Sequence, residues 1–344
     1  MWAADQFLAT EYEKSRMNQG LDRSRQANDR KVHLREVLAR SIGTFEKEEN
    51  HTPVLLEEMD CGTYIRKRVE LSATPGLTFP AYVLVPKGFG KSKLPGVVAV
   101  HGHGYGSRQI LGMHPDGSWD EGQPGIYHNF ALELVHRGMV VIAPDVVGFG
   151  ERRLQSDLKE DPNAPSSCYT MAAQLLMVGK TLTGLRIQEA LCTLDYFSGL
   201  EEVDPERIGI MGFSGGSLIA FIASVLDERL HATVLAGFPN TFKESILAVH
   251  HCLCNYTPGI LNHAELPELI SLIAPRPLFL ESGLDDPIFP KEGFIKAVEA
   301  IQAAYTSIGK PDLLATDLFP GAHEISGRLS YDWMYAKLTE SLGY

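Results

Sequence analysis

The sequence predicts an α/β protein: a mostly parallel central sheet with helices on both faces and a helical extension at the N-terminus. Three observations lead there. Six apolar, β-rich runs recur along the chain, at 95–102, 139–145, 207–214, 232–238, 276–283 and 312–321. Helix-prone stretches separate them, among them 181–198 and 290–308. Continuous rather than alternating apolar runs are the mark of strands buried on both faces, which is what a parallel sheet between helical layers requires.

Taken in order, residues 1–55 are charged and helix-prone with weak apolar spacing, and are expected to form a helical extension packed on the main domain and available for a homo-oligomer contact. Residues 56–344 then form the main domain. From Cys61 the pattern alternates: "CGTYIRKRVELSA" and "LTFPAYVLVPKG" flank Thr74-Pro75-Gly76 and predict an antiparallel pair. The six buried strands follow, with no internal repeat and no low-complexity linker to divide them. Two connections are too long for simple crossovers, 103–126 and 239–275. Both leave the carboxyl ends of predicted strands, where ligands sit in open α/β sheets. The second is expected to form one wall of a pocket, with Phe242, Ile246 and Leu253 beside His250, His251 and Asn255.

Composition narrows the function. The chain of 344 residues is 44% hydrophobic, enough for a large core, and carries a formal charge of −12. That balance argues against general affinity for nucleic acid, which needs concentrated Lys and Arg. No segment has the length and apolarity of a membrane span, and the N-terminus lacks a signal-peptide pattern. Five cysteines scattered along the chain suit free thiols in a reducing cytoplasm. The expected setting is therefore cytoplasmic, with neither membrane nor nucleic acid as partner.

The chemistry centres on "GIMGFSGGS", 209–217, where an apolar strand, a sharp turn and an apolar helix meet at Ser214. In a nucleophile elbow, side chains two positions either side of the serine would clash, which suits Gly212 and Gly216. A serine hydroxyl needs a base, and the base needs an acid to orient it, in the chain order Ser, Asp or Glu, His. Of the twelve histidines only His323 follows the strand at 276–283, so it is selected by elimination. The acid falls in "LDDPIFP": Asp286 is favoured because it begins the turn closed by Pro287 and Pro290, with Asp285 as the alternative and a helix cap for 290–308 as its more natural role. Oxyanion donors are expected at the Gly215 N–H and, in "VHGHG", at the His103 N–H, with Gly104 as the alternative and His101 packed in support. His250, His251, Cys252 and Cys254 invite a zinc site, but a run this tight cannot close a tetrahedron, which draws its ligands from separate turns. No metal and no cofactor are expected.

With "VHGHG", "APDVVGFGERR", "GFSGGS", "LIAPRPLFLESGLDDPIFP" and "FPGAHE" in this order, the chain resembles the α/β-hydrolase superfamily and, more narrowly, its dienelactone hydrolase and acetyl xylan esterase-like branch. The resemblance implies an α/β-hydrolase fold, with nucleophile at Ser214, acid at Asp286, base at His323, and oxyanion donors at Gly215 and His103. Dienelactone hydrolases use a cysteine nucleophile; a serine here favours ordinary carboxylic esters. The implied activity is a serine carboxylesterase acting on a small ester with a short acyl group, such as an acetylated sugar. Its rivals are a peptidase or amidase of the prolyl oligopeptidase type and a catalytically silent binding protein on the same fold.

Overall fold

The computed structural model describes residues 3–22, 27–90 and 92–340. Nine strands form one sheet in the order β1-β2-β3-β5-β4-β6-β7-β8-β9. They are β1 Val54–Asp60, β2 Tyr64–Thr74, β3 Leu77–Pro86, β4 Leu94–Val100, β5 Val140–Pro144, β6 Val203–Phe213, β7 Leu230–Ala236, β8 Leu278–Gly283 and β9 Leu314–Phe319. The first three and the β3–β5 pairing are antiparallel; β5, β4, β6, β7, β8 and β9 run parallel. Each of the six apolar runs becomes a parallel strand, and the "CGTYIRKRVELSA" and "LTFPAYVLVPKG" pair becomes the β2–β3 hairpin. The sequence reading begins the sheet at Cys61, whereas β1 precedes it and the expected boundary at residue 55 falls inside that strand. β1 is exposed along nearly its whole length, so "VLLEEMD" lacks the alternation that marks a half-buried strand; its acidic residues suit a sheet edge exposed to water.

Helices cover both faces. One face packs the helices Leu182–Ser198, Gly215–Leu226 and Lys291–Ser307 into the larger apolar cluster, the other packs Phe130–His136 and Ser330–Thr339 into the smaller. The two N-terminal helices differ in how they attach. α2, Ala27–Ile42, places Leu34, Val37, Leu38 and Ile42 on one face by their three- and four-residue spacing, and all four are buried in the larger cluster. At about 1.5–3 kcal/mol for each fully buried aliphatic side chain, that face binds α2 firmly to the core. α1, Ala4–Asp22, leaves Phe7, Leu8 and Met17 exposed and docks through polar contacts, including Gln19 Nε2 donating to the Leu261 carbonyl at 2.6 Å. Among the described residues no helix is long and apolar enough to cross a membrane.

The chain leaves β4 toward β5 on one side and returns to β6 on the other, which puts a topological switch point at the carboxyl ends of β4 and β6, where a crevice opens in such sheets.

Candidate active site

At the end of β6 the chain turns at Ser214, with φ 54° and ψ −120°, directly into the helix Gly215–Leu226. A non-glycine residue at positive φ is strained and persists only where its surroundings over-determine it. Here they do. A Cβ at Gly212 would lie 2.2 Å from the Gly216 carbonyl oxygen, and one at Gly216 would lie 2.1 Å from the Val100 carbonyl oxygen on β4. The Ser214 N–H donates to the Ala236 carbonyl at 2.8 Å. Ser217, which the sequence reading passed over, pins the turn from beneath: its buried hydroxyl lies 2.7 Å from the Gly212 carbonyl and 2.8 Å from that of Ala236, and accepts from the Ala236 N–H at 2.9 Å. Only its place three residues after Ser214 hinted at this.

The loops after β8 and β9 bring two further groups to the serine. His323 Nε2 lies 3.0 Å from Ser214 Oγ, and His323 Nδ1 lies 2.7 Å from Asp286 Oδ2. Asp286 is oriented by its other oxygen, which accepts from the Ile288 and Phe289 N–H groups at 2.8 and 3.0 Å. The imidazole is stacked on Phe289 at 5.7 Å and flanked by Phe213 at 4.8 Å. The structure thus joins Ser214, His323 and Asp286 in one hydrogen-bonded line, with Asp286 buried and Asp285 exposed. Asp285 is not the cap of the following helix either. That helix starts at Lys291 with Pro290 in the cap position and no side-chain cap bond. The adjacent prolines fix the turn themselves and leave the carboxylate of Asp285 to solvent.

Two backbone amides border the serine. The loop after β4 passes so close that a Cβ at Gly102 would lie 3.1 Å from Ser214 Cβ and 3.3 Å from the Gly215 nitrogen. His101 is buried and its Nε2 accepts from the Val146 N–H at 2.9 Å, so Nδ1 carries the proton and donates to the Gly102 carbonyl at 2.8 Å. Burial, the leading cause, holds its pKa below the ordinary value and keeps the ring neutral. Tyr127 donates its hydroxyl to the His103 carbonyl at 2.9 Å. Both carbonyls flanking His103 are therefore engaged. In a planar trans peptide the N–H points opposite the preceding carbonyl, so His101 also sets the direction of the His103 N–H. Neither the His103 nor the Gly215 N–H takes part in a loop, turn or cap backbone hydrogen bond among the described residues.

A pocket of about 380 Å³ opens over the serine, lined by Phe213, Val249, His250, His251, Ile288 and Tyr127 among others. The connection 239–275 contributes to it through residues 249–252. Phe242, Ile246 and Asn255, expected in the same wall, line a separate cavity of about 650 Å³ against α1 instead. Burial, with the nearby His103 next, lowers the pKa of His251 to about 4, which makes it a neutral polar group in the pocket.

Of the tight run at 250–254, Cys252 and Cys254 meet, at 3.1 Å between sulfurs, whereas His250 and His251 turn to the pocket. The cysteines are joined there by His103 and Cys168, two residues far away in the sequence that the run itself could not reveal. Burial opposes charging His103, but the sulfurs of Cys168 and Cys252 outweigh it and push its pKa up to about 9.

Comparison with known proteins agrees with this architecture. The chain is 29% identical over 246 residues to YtaP of Bacillus subtilis (strain 168), provisionally designated a hydrolase, covering 68% of this chain and 74% of that one. It is similar to a solved structure from Bacteroides fragilis NCTC 9343, provisionally designated an acetyl xylan esterase, with TM-score 0.70 and 18% identity over 84% of this chain and 74% of that one. It is also similar to a glucuronoyl esterase from Solibacter usitatus, with TM-score 0.63 and 12% identity over 89% and 92% of the two chains. At these identities the structural likeness speaks for the fold, a mostly parallel α/β-hydrolase sheet with helices on both faces. The model of the Abhydrolase family matches residues 14–330, which contain all nine strands and most of the helices, and the chain belongs to that family.

Proposed function

We propose that the protein hydrolyses carboxylic esters with a serine nucleophile through an acyl-enzyme. The observation that carries this reading is the line Ser214–His323–Asp286, closed at 3.0 and 2.7 Å at the floor of a pocket. Ser214 Oγ attacks the ester carbonyl as His323 Nε2 takes its proton, and Asp286 holds the imidazole in the tautomer that leaves Nε2 free to accept. The negative charge that develops on the carbonyl oxygen is met by the Gly215 and His103 N–H groups, donors already fixed before the reaction and so costing little reorganisation. Collapse expels the alcohol, which leaves with the proton held on His323. A water then gives its proton to the same nitrogen and attacks the acyl-enzyme, and the second collapse returns that proton to Ser214 Oγ and releases the acid.

The pocket volume of about 380 Å³ is small for a ligand site and suits a short acyl group. The acetyl xylan and glucuronoyl esterases among the similar structures point to a sugar ester, an acetylated one by preference. The test is hydrolysis of p-nitrophenyl esters of increasing acyl length beside aminoacyl-proline amides, for the wild type and Ser214→Ala. Turnover of the short esters, and its loss by about 10³-fold or more in the variant, is expected. Wild-type rates in a folded Ser214→Ala protein would overturn the serine mechanism, faster cleavage of the amides would favour a peptidase, and no turnover of either would favour a binding protein.

A further inference from the structure

Behind the pocket, four side chains converge whose chemistry the ester reaction does not use. His103 comes from the loop after β4, Cys168 from the first position of the helix Cys168–Met177, and Cys252 and Cys254 from the short turn around Leu253–Asn255. One ligand atom from each lies within 4.8 Å of every other. The Cys254 sulfur is 3.1 Å from that of Cys252 and 3.6 Å from His103 Nε2. Metal–sulfur bonds of about 2.3 Å and metal–nitrogen bonds of about 2.0–2.1 Å in a tetrahedron put neighbouring ligand atoms about 3.5–3.8 Å apart, so the cluster has the size of such a site. Ligands drawn from three separate segments supply what the run at 250–254 lacks when read alone.

The surroundings are those of a bound ion. Cys168 and Cys254 are 1% and 2% exposed, so the sulfurs face protein rather than water. Arg186, 4% exposed, places Nη2 3.0 Å from Cys168 Sγ and 2.8 Å from the Val147 carbonyl, and no carboxylate forms an ion pair with it among the described residues. A buried guanidinium without a counter-charge is costly. Three thiolates and a neutral imidazole around a divalent cation carry one net negative charge, and Arg186 neutralises it. Asn255 Nδ2, 3.4 Å from Cys254 Sγ, adds an N–H directed at a ligand sulfur, the kind of outer contact that tunes metal thiolates.

We propose that His103, Cys168, Cys252 and Cys254 bind a structural divalent zinc ion. Three soft sulfurs and one imidazole in a closed set of four select zinc over the harder cations, and four protein ligands leave no open position for substrate. Binding releases to solvent whatever protons the three sulfurs and the His103 ring hold in the unliganded cluster, and no oxidant or reductant takes part. The ion ties the loop after β4 to the turn at 252–254 and to the start of the helix at Cys168, and the first two of these segments border the pocket. If the ester reading holds, the same ion braces the loop whose His103 N–H faces the oxyanion.

The experiment starts with elemental analysis of the purified full-length protein, followed by chelation under reducing conditions and titration with Co²⁺ as a spectroscopic probe. Zinc at about one equivalent per chain is expected, as are thiolate-to-cobalt charge-transfer bands and the strong visible bands of tetrahedral cobalt saturating at one equivalent. Both should be lost in Cys252→Ser and Cys168→Ser and retained in Cys192→Ser, whose thiol instead lies 3.2 Å from the Ser72 carbonyl. The wild-type cobalt spectrum decides the matter without any variant, should the buried Cys168→Ser fail to fold. Absence of stoichiometric metal together with absence of the cobalt bands in folded, reduced wild type overturns the site. So does a Cys252–Cys254 disulfide, seen as a mass two hydrogens lower, in a protein that takes up no metal after reduction. Stripping that removes the ion and leaves kcat unchanged overturns the bracing of the oxyanion loop alone, whereas the site itself stands or falls on the metal content.

Discussion

The loop that carries His323 and the loop that carries His103 both border Ser214, yet they are anchored by different means. Under the His323 loop lie two buried carboxylates: Glu281 on β8 accepts from the Ser326 N–H at 2.8 Å, the Gly327 N–H at 3.2 Å and the Ser330 hydroxyl at 2.8 Å, and Asp317 on β9 accepts from Arg328 Nε at 2.8 Å. Two backbone bonds, Leu284 N–H to the Phe319 carbonyl at 2.8 Å and Asp285 N–H to the Gly321 carbonyl at 2.9 Å, stitch this loop to the acid-bearing one. The His103 loop is held by neutral donors, His101 and Tyr127, one to each carbonyl, with its side chain among sulfurs. The first anchorage is concentrated in charged carboxylates, Glu281 above all, and the second is spread over neutral hydrogen bonds. The proton relay we propose needs two side chains at fixed distances, which strong anchors under the His323 loop and backbone bonds to the Asp286 loop supply; the proposed amide donor needs only its peptide plane held, and two modest bonds suffice.

The largest effect that tests this contrast is on the relay itself. Asp286→Asn keeps the shape but removes the charge that fixes the imidazole tautomer, and kcat for a short ester should fall by about 10³–10⁴-fold. Asp285→Asn, at an exposed carboxylate, should stay within about threefold. A larger loss at Asp285 would show the acid to be misassigned. Next comes the concentrated anchor. Glu281→Gln puts an amide NH₂ where a carboxylate oxygen accepted backbone N–H bonds, leaving buried donors unmatched at about 1–3 kcal/mol. Urea unfolding should show that loss, and kcat should drop about tenfold or more with KM little changed. Destabilisation with kcat intact would mean that Glu281 supports the fold without positioning His323.

How much of this was legible in the sequence follows from where the information resides. The six parallel strands could be read because burial on both faces writes a continuous apolar run, and Ser214 because the turn excludes side chains at Gly212 and Gly216. His323 and Asp286 followed from chain order and from two prolines that fix a turn. β1 was missed because an exposed edge strand imposes no alternation. Ser217, Tyr127 and Glu281 are ordinary residues at ordinary positions, and what distinguishes them is a partner supplied by a distant strand or loop. The meeting of Cys168 and His103 with Cys252 and Cys254 is of the same kind: a tight local run was weighed as a complete ligand set, when half of the set lies in other segments brought there by the sheet.

The distributed anchor should yield smaller effects. Tyr127→Phe removes the hydroxyl that holds the His103 carbonyl and leaves the ring packed against Phe213 at 5.3 Å. One neutral hydrogen bond contributes about 0.5–1.5 kcal/mol, so kcat should fall by about two- to tenfold while His101 continues to hold the preceding carbonyl. A loss as large as that of Asp286→Asn would show that the oxyanion loop depends on a single residue.

The smallest effect concerns a residue of the pocket wall common to neither loop. His251 sits against Phe289 at 5.9 Å, and its Nδ1 is buried without a hydrogen-bond partner. Burial, the leading cause, lowers its pKa from the ordinary 6.5 to about 4. The unfolded chain binds a proton on this ring below about pH 6.5, the folded chain only below about 4, so between those values the unfolded state holds more protons. The contribution to stability is therefore fully present above pH 6.5 and declines as the pH falls through this window toward 4. With solvent screening at a partly exposed ring, it amounts to about 1 kcal/mol. Urea unfolding at pH 7.5 and pH 4.5 should show a steeper acid loss in wild type than in His251→Leu, because the variant has no ring to protonate. The same substitution should change relative rates among acyl lengths while leaving the Ser214–His323–Asp286 line in place, since His251 borders the pocket without touching that line. Parallel pH dependences in the two proteins would show that the ring is solvated in the folded state, and the burial that keeps His251 neutral would fall with it.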